Sequence, residues 1–155
     1  MSVTGNSDGL SNVLAGAMRL LAAREHSQHE LRRKLSQKGH ATEDIERAIE
    51  QLAAQNLQSD ARFVESFVNS HRQRGKGPKR IRLELQQHQL AEGLVDEYLN
   101  ERDDAWKESA LEVKLKKFGE ALPDDFQQQM KQAKFLEYRG FTHEQISAVL
   151  KTGDA

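Results

Sequence analysis

Apolar residues along this chain recur at helical spacing, and no alternating run is long enough to predict a strand. Leu31 and Leu35, Ile45 and Ile49, Phe63 and Phe67, and Val64 and Val68 each stand four apart, which puts each pair on one helical face. The pattern also repeats. The stretch HELRRKLSQKGHATEDIERAI, His29 to Ile49, falls on Lys79 to Leu99 when moved by 50 positions and on Met130 to Leu150 when moved by 101. Under the first shift Leu31 meets Ile81, Leu35 meets Leu85, Ile45 meets Val95 and Ile49 meets Leu99. Under the second, Leu35 meets Leu136, Gly39 meets Gly140, Ile45 meets Ile146 and Ile49 meets Leu150. Recurrence at one set of positions points to tandem repeats.

Each repeat reads as a basic helix, a short turn and an acidic helix, with a further helix in front. The leading helices are predicted over 13–24, over Asp60 to Arg74, and over Ala105 to Phe118, where Trp106, Ala110, Leu111, Leu115 and Phe118 supply the apolar positions. Ser27 with Glu30, and Thr142 with Gln145, have the spacing of a capping box. Gly39 and Gly140 suit a left-handed helix end, whereas the second repeat has Gln89 there, so its turn is expected to close differently. The prediction is an all-α protein of nine helices in three tandem three-helix repeats, over 13–58, 59–102 and 103–155, behind a disordered polar tail at 1–12. Each repeat has few apolar residues, so it should bury surface against its neighbours and give an elongated, curved molecule. Small-angle scattering should then return a radius of gyration above the roughly 15 Å of a compact chain of this length; the compact value would contradict that shape.

Charge follows the repeat. From Arg19 to Lys38 there are six basic and two acidic residues, and from Glu43 to Glu65 two basic and six acidic. From His71 to His88 six basic residues face one acidic, and from Glu92 to Glu108 two face seven. The formal net charge of −1 therefore conceals alternating blocks. Such blocks are either solvated helix faces with local pairing, or, if repeats stack in register, one basic and one acidic surface. A basic surface favours a polyanion or an acidic protein surface as partner. The chain has no cysteine, which excludes disulfides and thiolate metal sites. No run approaches the ~18 apolar residues of a membrane span, and the polar N-terminus lacks the apolar core of a signal peptide. A cytoplasmic protein is expected.

The most charged stretch, HRQRGKGPKRIRLEL from His71 to Leu85, invites a phosphate-loop interpretation, which fails. Arg80 stands where the third glycine of a dinucleotide fingerprint should be, and a helix precedes it where a strand is required. Pro78 suits the first turn of a helix, so Gly75 and Gly77 are expected to end one helix and turn the chain into the next. Arg72, Arg74, Lys76, Lys79, Arg80 and Arg82 would converge on one exposed corner, a candidate binding site. Arg32, Arg33 and Lys34 hold the matching place on the basic helix of the first repeat. Replacing Arg74, Lys79 and Arg82 with alanine is expected to weaken partner binding and barely change folding. The histidines have no metal-ligand spacing. Asp103-Asp104 and Asp124-Asp125 fall at helix starts, where carboxylates favour the dipole. No nucleophile comes with a nearby base. No catalytic residue, metal or cofactor is assigned, and an enzyme is not expected.

Three segments carry a family resemblance. LAAREHSQHELRRKL (Leu21–Leu35), DARFVESFVNSHRQRGKGPKRIRLEL (Asp60–Leu85), and KFGEALP with KFLEYRGF (Lys117–Pro123, Lys134–Phe141) resemble the RecX family of recombinase regulators. The likeness runs from about Ala15 to Leu150 and is most specific in the middle segment. It implies three tandem three-helix repeats, in agreement with the offsets. It further implies a protein that binds the RecA recombinase filament along its groove. Because such a filament carries nucleic acid, the basic strip would find its target in protein, in single-stranded DNA within the filament, or in both. Such a protein restrains strand exchange and co-protease activity, and so modulates recombination and the SOS response. The alternative from another class is a helical module that binds nucleic acid directly through the basic strip. The near-zero net charge and the scarcity of aromatics beside the cations weigh against it. Nothing demands a dimer, and a monomer is expected.

Overall fold

The computed structural model describes residues 3–151. Among them it has eight α-helices and no strand. The helices are α1 (Val3–Ala23), α2 (Gln28–Gln37), α3 (Thr42–Ala54), α4 (Asp60–Gln73), α5 (Pro78–Leu85), α6 (Ala105–Phe118), α7 (Phe126–Arg139) and α8 (His143–Leu150). Of the apolar positions that the two offsets align, all but the half-buried Val95 are buried. Leu31, Ile81, Leu35, Leu85, Leu136, Ile45, Ile49, Leu99, Ile146 and Leu150 are all inside. Gln132 holds the slot of Leu31 and Ile81 in the third repeat, and its buried Oε1 has no hydrogen-bond partner among the described residues.

Two expectations are corrected. The polar stretch before Val13 is helical from Val3 onward, as the first part of α1. Leu10 belongs to the same stripe as Val13, Leu14 and Ala17 and packs on the core, which extends the amphipathic face backward. The ninth helix, expected near the end of the second repeat, is absent among the described residues. The chain there forms two 3-10 turns, Gln86–His88 and Val95–Glu97. Leu94, Val95 and Tyr98 are only half-buried, so an α-helix there would have little apolar surface to cover. Gln89 itself takes a left-handed backbone, with φ of 51°, in the place held by Gly39 and Gly140.

Contacts divide the chain into two compact units. One runs to Ser66 and takes in His88–Leu94; the other holds Phe67–Gln87 and continues from Val95. The second repeat, read from sequence as 59–102, contributes to both. In the first unit α1, α2 and α3 pack together around Val13, Ala17, Leu31, Leu35, Ile45, Ala48, Ile49 and Leu52. Ser27 caps α2 by accepting from the Glu30 amide at 3.0 Å. Glu30 does not complete the box. Burial pushes its carboxyl up, but the bonds it accepts from Arg24 outweigh that and hold it below the ordinary range. In the second unit α6, α7 and α8 pack on one another. There Thr142 and Gln145 do form the reciprocal box, at 2.9 and 3.2 Å. The Gln145 amide also donates to the Glu101 carbonyl at 2.7 Å. Lys114 is fully buried and donates to the carbonyls of Gly119 and Ala121, closing the end of α6.

A histidine pair gives the first unit a pH dependence. The His88 ring lies 2.8 Å from Ser27 Oγ and packs on Phe63, while His26 is buried beside Lys34 Nζ at 3.2 Å. Burial lowers both imidazole pKa values against the pull of Glu30, and nearby positive side chains add to the lowering: Arg24 and Lys34 at His26, and Arg33 and Arg24 at His88. Above the ordinary value of 6.5 folded and unfolded chains bind the same protons here. Below it the unfolded chain gains protons first, so stability should fall as the pH drops from 6.5 toward the lowered folded values. Melting temperatures from pH 7.5 to 5.5 check this, and His88→Gln should flatten the decline.

Candidate partner-binding site

The basic stretch from His71 to Leu85 lies within the second unit as a helix–turn–helix corner. Gly75 ends α4 with φ of 89°, and Pro78 occupies the first turn of α5. Gly77 has an ordinary backbone with φ of −86°, so its role is not the one expected. Its amide donates to the Arg139 carbonyl at 2.7 Å, and the Lys79 amide donates to the Gly140 carbonyl at 2.9 Å. These bonds tie the α4–α5 turn to the end of α7. A Cβ on Gly77 would collide with the backbone of Gly140 and Phe141, and one on Gly140 would collide with Arg80. The two segments meet where only glycines fit.

The six cations do not form one exposed corner. Arg74 and Lys79 are exposed; Arg72, Lys76, Arg80 and Arg82 are half-buried and engaged within the unit. Arg72 donates to Ser109 Oγ at 2.8 Å and to the Ala105 carbonyl at 3.0 Å, with its guanidinium 4.8 Å from the Trp106 ring. Lys76 and Arg80 both bind Glu84, at 2.9 and 3.1 Å, and Arg80 also lies over Tyr138. Burial pushes the Glu84 carboxyl up, but those bonds more than offset it and its pKa stays below the ordinary range. Arg82 pairs with Glu101 and with Asp96 and donates to the Leu99 carbonyl at 3.1 Å. The bond to Glu101, with Asp96 adding to it, raises the Arg82 pKa against the effect of burial. Lys76 and Arg80 are thus answered by the one carboxylate inside the basic block, Arg82 by two from the acidic block that follows, and Arg72 by neutral groups, which is why the expected set of exposed cations shrinks to two.

In the first unit Arg32 binds Glu46 at 2.8 Å, and Lys34 lies 3.8 Å from Glu30. Arg33 is exposed with no ion pair or hydrogen bond from its side chain among the described residues. No cluster of metal-ligating side chains occurs among the described residues, and no helix there is long and apolar enough to cross a membrane. Sequence reasoning missed Lys116, Lys117 and Arg139, which come beside Arg72 and Arg74 around one cleft.

Comparison with known proteins bears on what such a framework is. Models of the first, second and third three-helix domains of RecX match residues 15–52, 59–99 and 106–150 in that order. The regulatory protein RecX of Pseudomonas fluorescens is 42% identical over 147 residues, covering 95% of either chain. That of Halorhodospira halophila is 41% identical over 138 residues, or 89% of this chain and 86% of the relative. This chain belongs to the RecX family. Solved RecX structures share its fold. The crystal structure of RecX from Lactobacillus salivarius superposes with a TM-score of 0.75 at 22% identity, over 94% of this chain and 96% of that one. A second, described as regulatory protein RecX, gives a TM-score of 0.78 at 20% identity, over 95% of this chain and 75% of that one. The relatives of this RecX chain are regulatory proteins by name, and its fold is all-α and built from three-helix repeats.

Proposed function

We propose that this protein acts in the bacterial cytoplasm as a non-enzymatic regulator that binds the RecA recombinase filament. Bound there, it restrains strand exchange and co-protease activity, and through them recombination and the SOS response. The observation that carries the reading is the ordered match of three RecX domains, together with relatives named regulatory proteins at above 40% identity. The physical chemistry is compatible with it. Helical repeats present surface more readily than they enclose a reactive pocket, and the exposed cations Arg33, Arg74 and Lys79 are available to anionic groups of a protein–DNA filament. Among the nine residues first read as partner-binding, these three are the ones we assign to that contact. Arg32, Lys34, Arg72, Lys76, Arg80 and Arg82 serve first to hold the fold.

Purified protein added at substoichiometric to equimolar amounts should suppress recombinase-driven strand exchange and filament-dependent ATP hydrolysis. Unchanged rates of both at equimolar protein would remove the inhibitory role. If DNA phosphates form part of the contact, Arg74→Ala with Lys79→Ala should lower the salt slope of filament binding by close to one unit for each cation–phosphate pair removed.

A further inference from the structure

The ion pairs of the second unit leave its positive charge unevenly answered. Lys76, Arg80 and Arg82 face Glu84, Glu101 and Asp96. Arg72, Arg74, Lys116, Lys117 and Arg139 take no part in any ion pair among the described residues. All five line one open cleft of about 770 Å³, walled by the end of α4, by α6 and by α7, where Glu112 is the single acidic lining residue.

Two of these cations are held in place by neutral acceptors. Arg72 is fixed by Ser109, the Ala105 carbonyl and the Trp106 ring. Arg139 donates to the carbonyls of Gly75 at 3.1 Å and Arg74 at 2.5 Å. Such bonds orient a guanidinium without cancelling its charge, so the arginine meets an anion already positioned. Arg74 and Lys116 stand exposed beside them.

The cleft is not purely polar. Val113 and Leu115 line it, and Leu115 keeps 39% of its surface in water, enough to receive an apolar side chain. Its one aromatic lining residue, Phe135, is already engaged: Phe118 meets it edge-on at 5.4 Å and Lys117 lies over the ring at 5.4 Å. A single-stranded nucleic acid would want a free aromatic face for its bases. Clustered cations around an aliphatic contact fit carboxylates with an apolar anchor between them.

We propose that this cleft receives an acidic peptide segment, its carboxylates against Arg72, Arg74, Lys116 and Arg139 and an apolar side chain against Val113 and Leu115. The inference concerns the chemistry of the occupant and stands whether or not the recombinase supplies that segment.

The test titrates the full chain with a fluorescent twelve-residue peptide of aspartate and glutamate around a central leucine, at low salt. Oligothymidine of the same length serves as competitor. Arg74→Ala with Lys116→Ala should weaken peptide binding roughly tenfold or more with an unchanged melting curve. Leu115→Ser should weaken it several-fold. Arg19→Ala with Arg47→Ala removes the same net charge at exposed positions outside the cleft and should leave the peptide bound as before. Absence of peptide binding, equal losses in the two double variants, or oligothymidine that outcompetes the peptide in a manner abolished by Arg74→Ala with Lys116→Ala would overturn the proposal. Should the double variant melt early, Lys116→Gln alone is expected to give a several-fold loss, and no loss there would overturn it equally.

Discussion

Gly77→Val is expected to be among the most damaging single changes in the chain. The new side chain would be driven into the backbone of Gly140 and Phe141, which cannot rotate aside as a flexible side chain would. Relief requires the α4–α5 turn to move off the end of α7, breaking the bonds of Gly77 and Lys79 to the Arg139 and Gly140 carbonyls. Overpacking alone costs about 1–3 kcal/mol, and two broken backbone bonds in a partly buried region add about 1 kcal/mol each. The combined loss corresponds to a melting temperature lower by roughly 6–12 °C or more. Gly39→Ala is the control. Its φ of 91° strains any side chain, but nothing stands within 4 Å of the added methyl. Only the left-handed backbone penalty of about 1–2 kcal/mol applies. Thermal melts that rank Gly39→Ala as worse than Gly77→Val would refute the close-approach account.

Arg82→Ala should be the most costly of the charge substitutions in the basic block. Its loss strands the half-buried carboxylate of Glu101 and frees the Leu99 carbonyl. Hydrogen bonds to charged groups are worth about 1.5–3 kcal/mol, and the exposed Asp96 adds little because solvent screens it. A loss of roughly 2–3 kcal/mol is expected, against no more than ~0.5 kcal/mol for Arg74→Ala or Lys79→Ala. Alanine at Arg74, Lys79 and Arg82 together should therefore lower the melting temperature, contrary to the expectation from sequence alone. Equal melting temperatures for Arg82→Ala and Lys79→Ala would contradict the pairing with Glu101.

That reversal marks where sequence reading stops. The repeat was legible because burial imposes itself on every copy: Leu35, Leu85 and Leu136 are fully buried, and the offsets found them without a structure. Pro78 and Gly75 were legible because their backbone demands are local. Arg82 was misread because its partners lie 14 and 19 positions away, in a segment whose spacing imitates a helix. Leu94, Val95, Tyr98 and Leu99 carry that spacing, yet of the four only Leu99 is buried. Gly77 was assigned to the turn when its reason is a neighbour 63 positions on, which no local pattern records. The cations of the cleft had a faint signal. Lys38, Arg74 and Arg139 each precede the glycine that follows a helix, where a positive side chain favours the dipole. Read alone, that is capping; only the fold brings Arg74 and Arg139 to one place with Lys116 and Lys117.

Under the proposed function this RecX chain recognises an assembled recombinase filament. The most direct measurement is its affinity for recombinase on single-stranded DNA, set beside recombinase without DNA and the same DNA alone, at one salt concentration. Tightest binding to the filament, with weak binding to bare DNA, is expected. Binding to bare DNA that equals or exceeds binding to the filament would contradict it, and would make the protein a nucleic-acid-binding module.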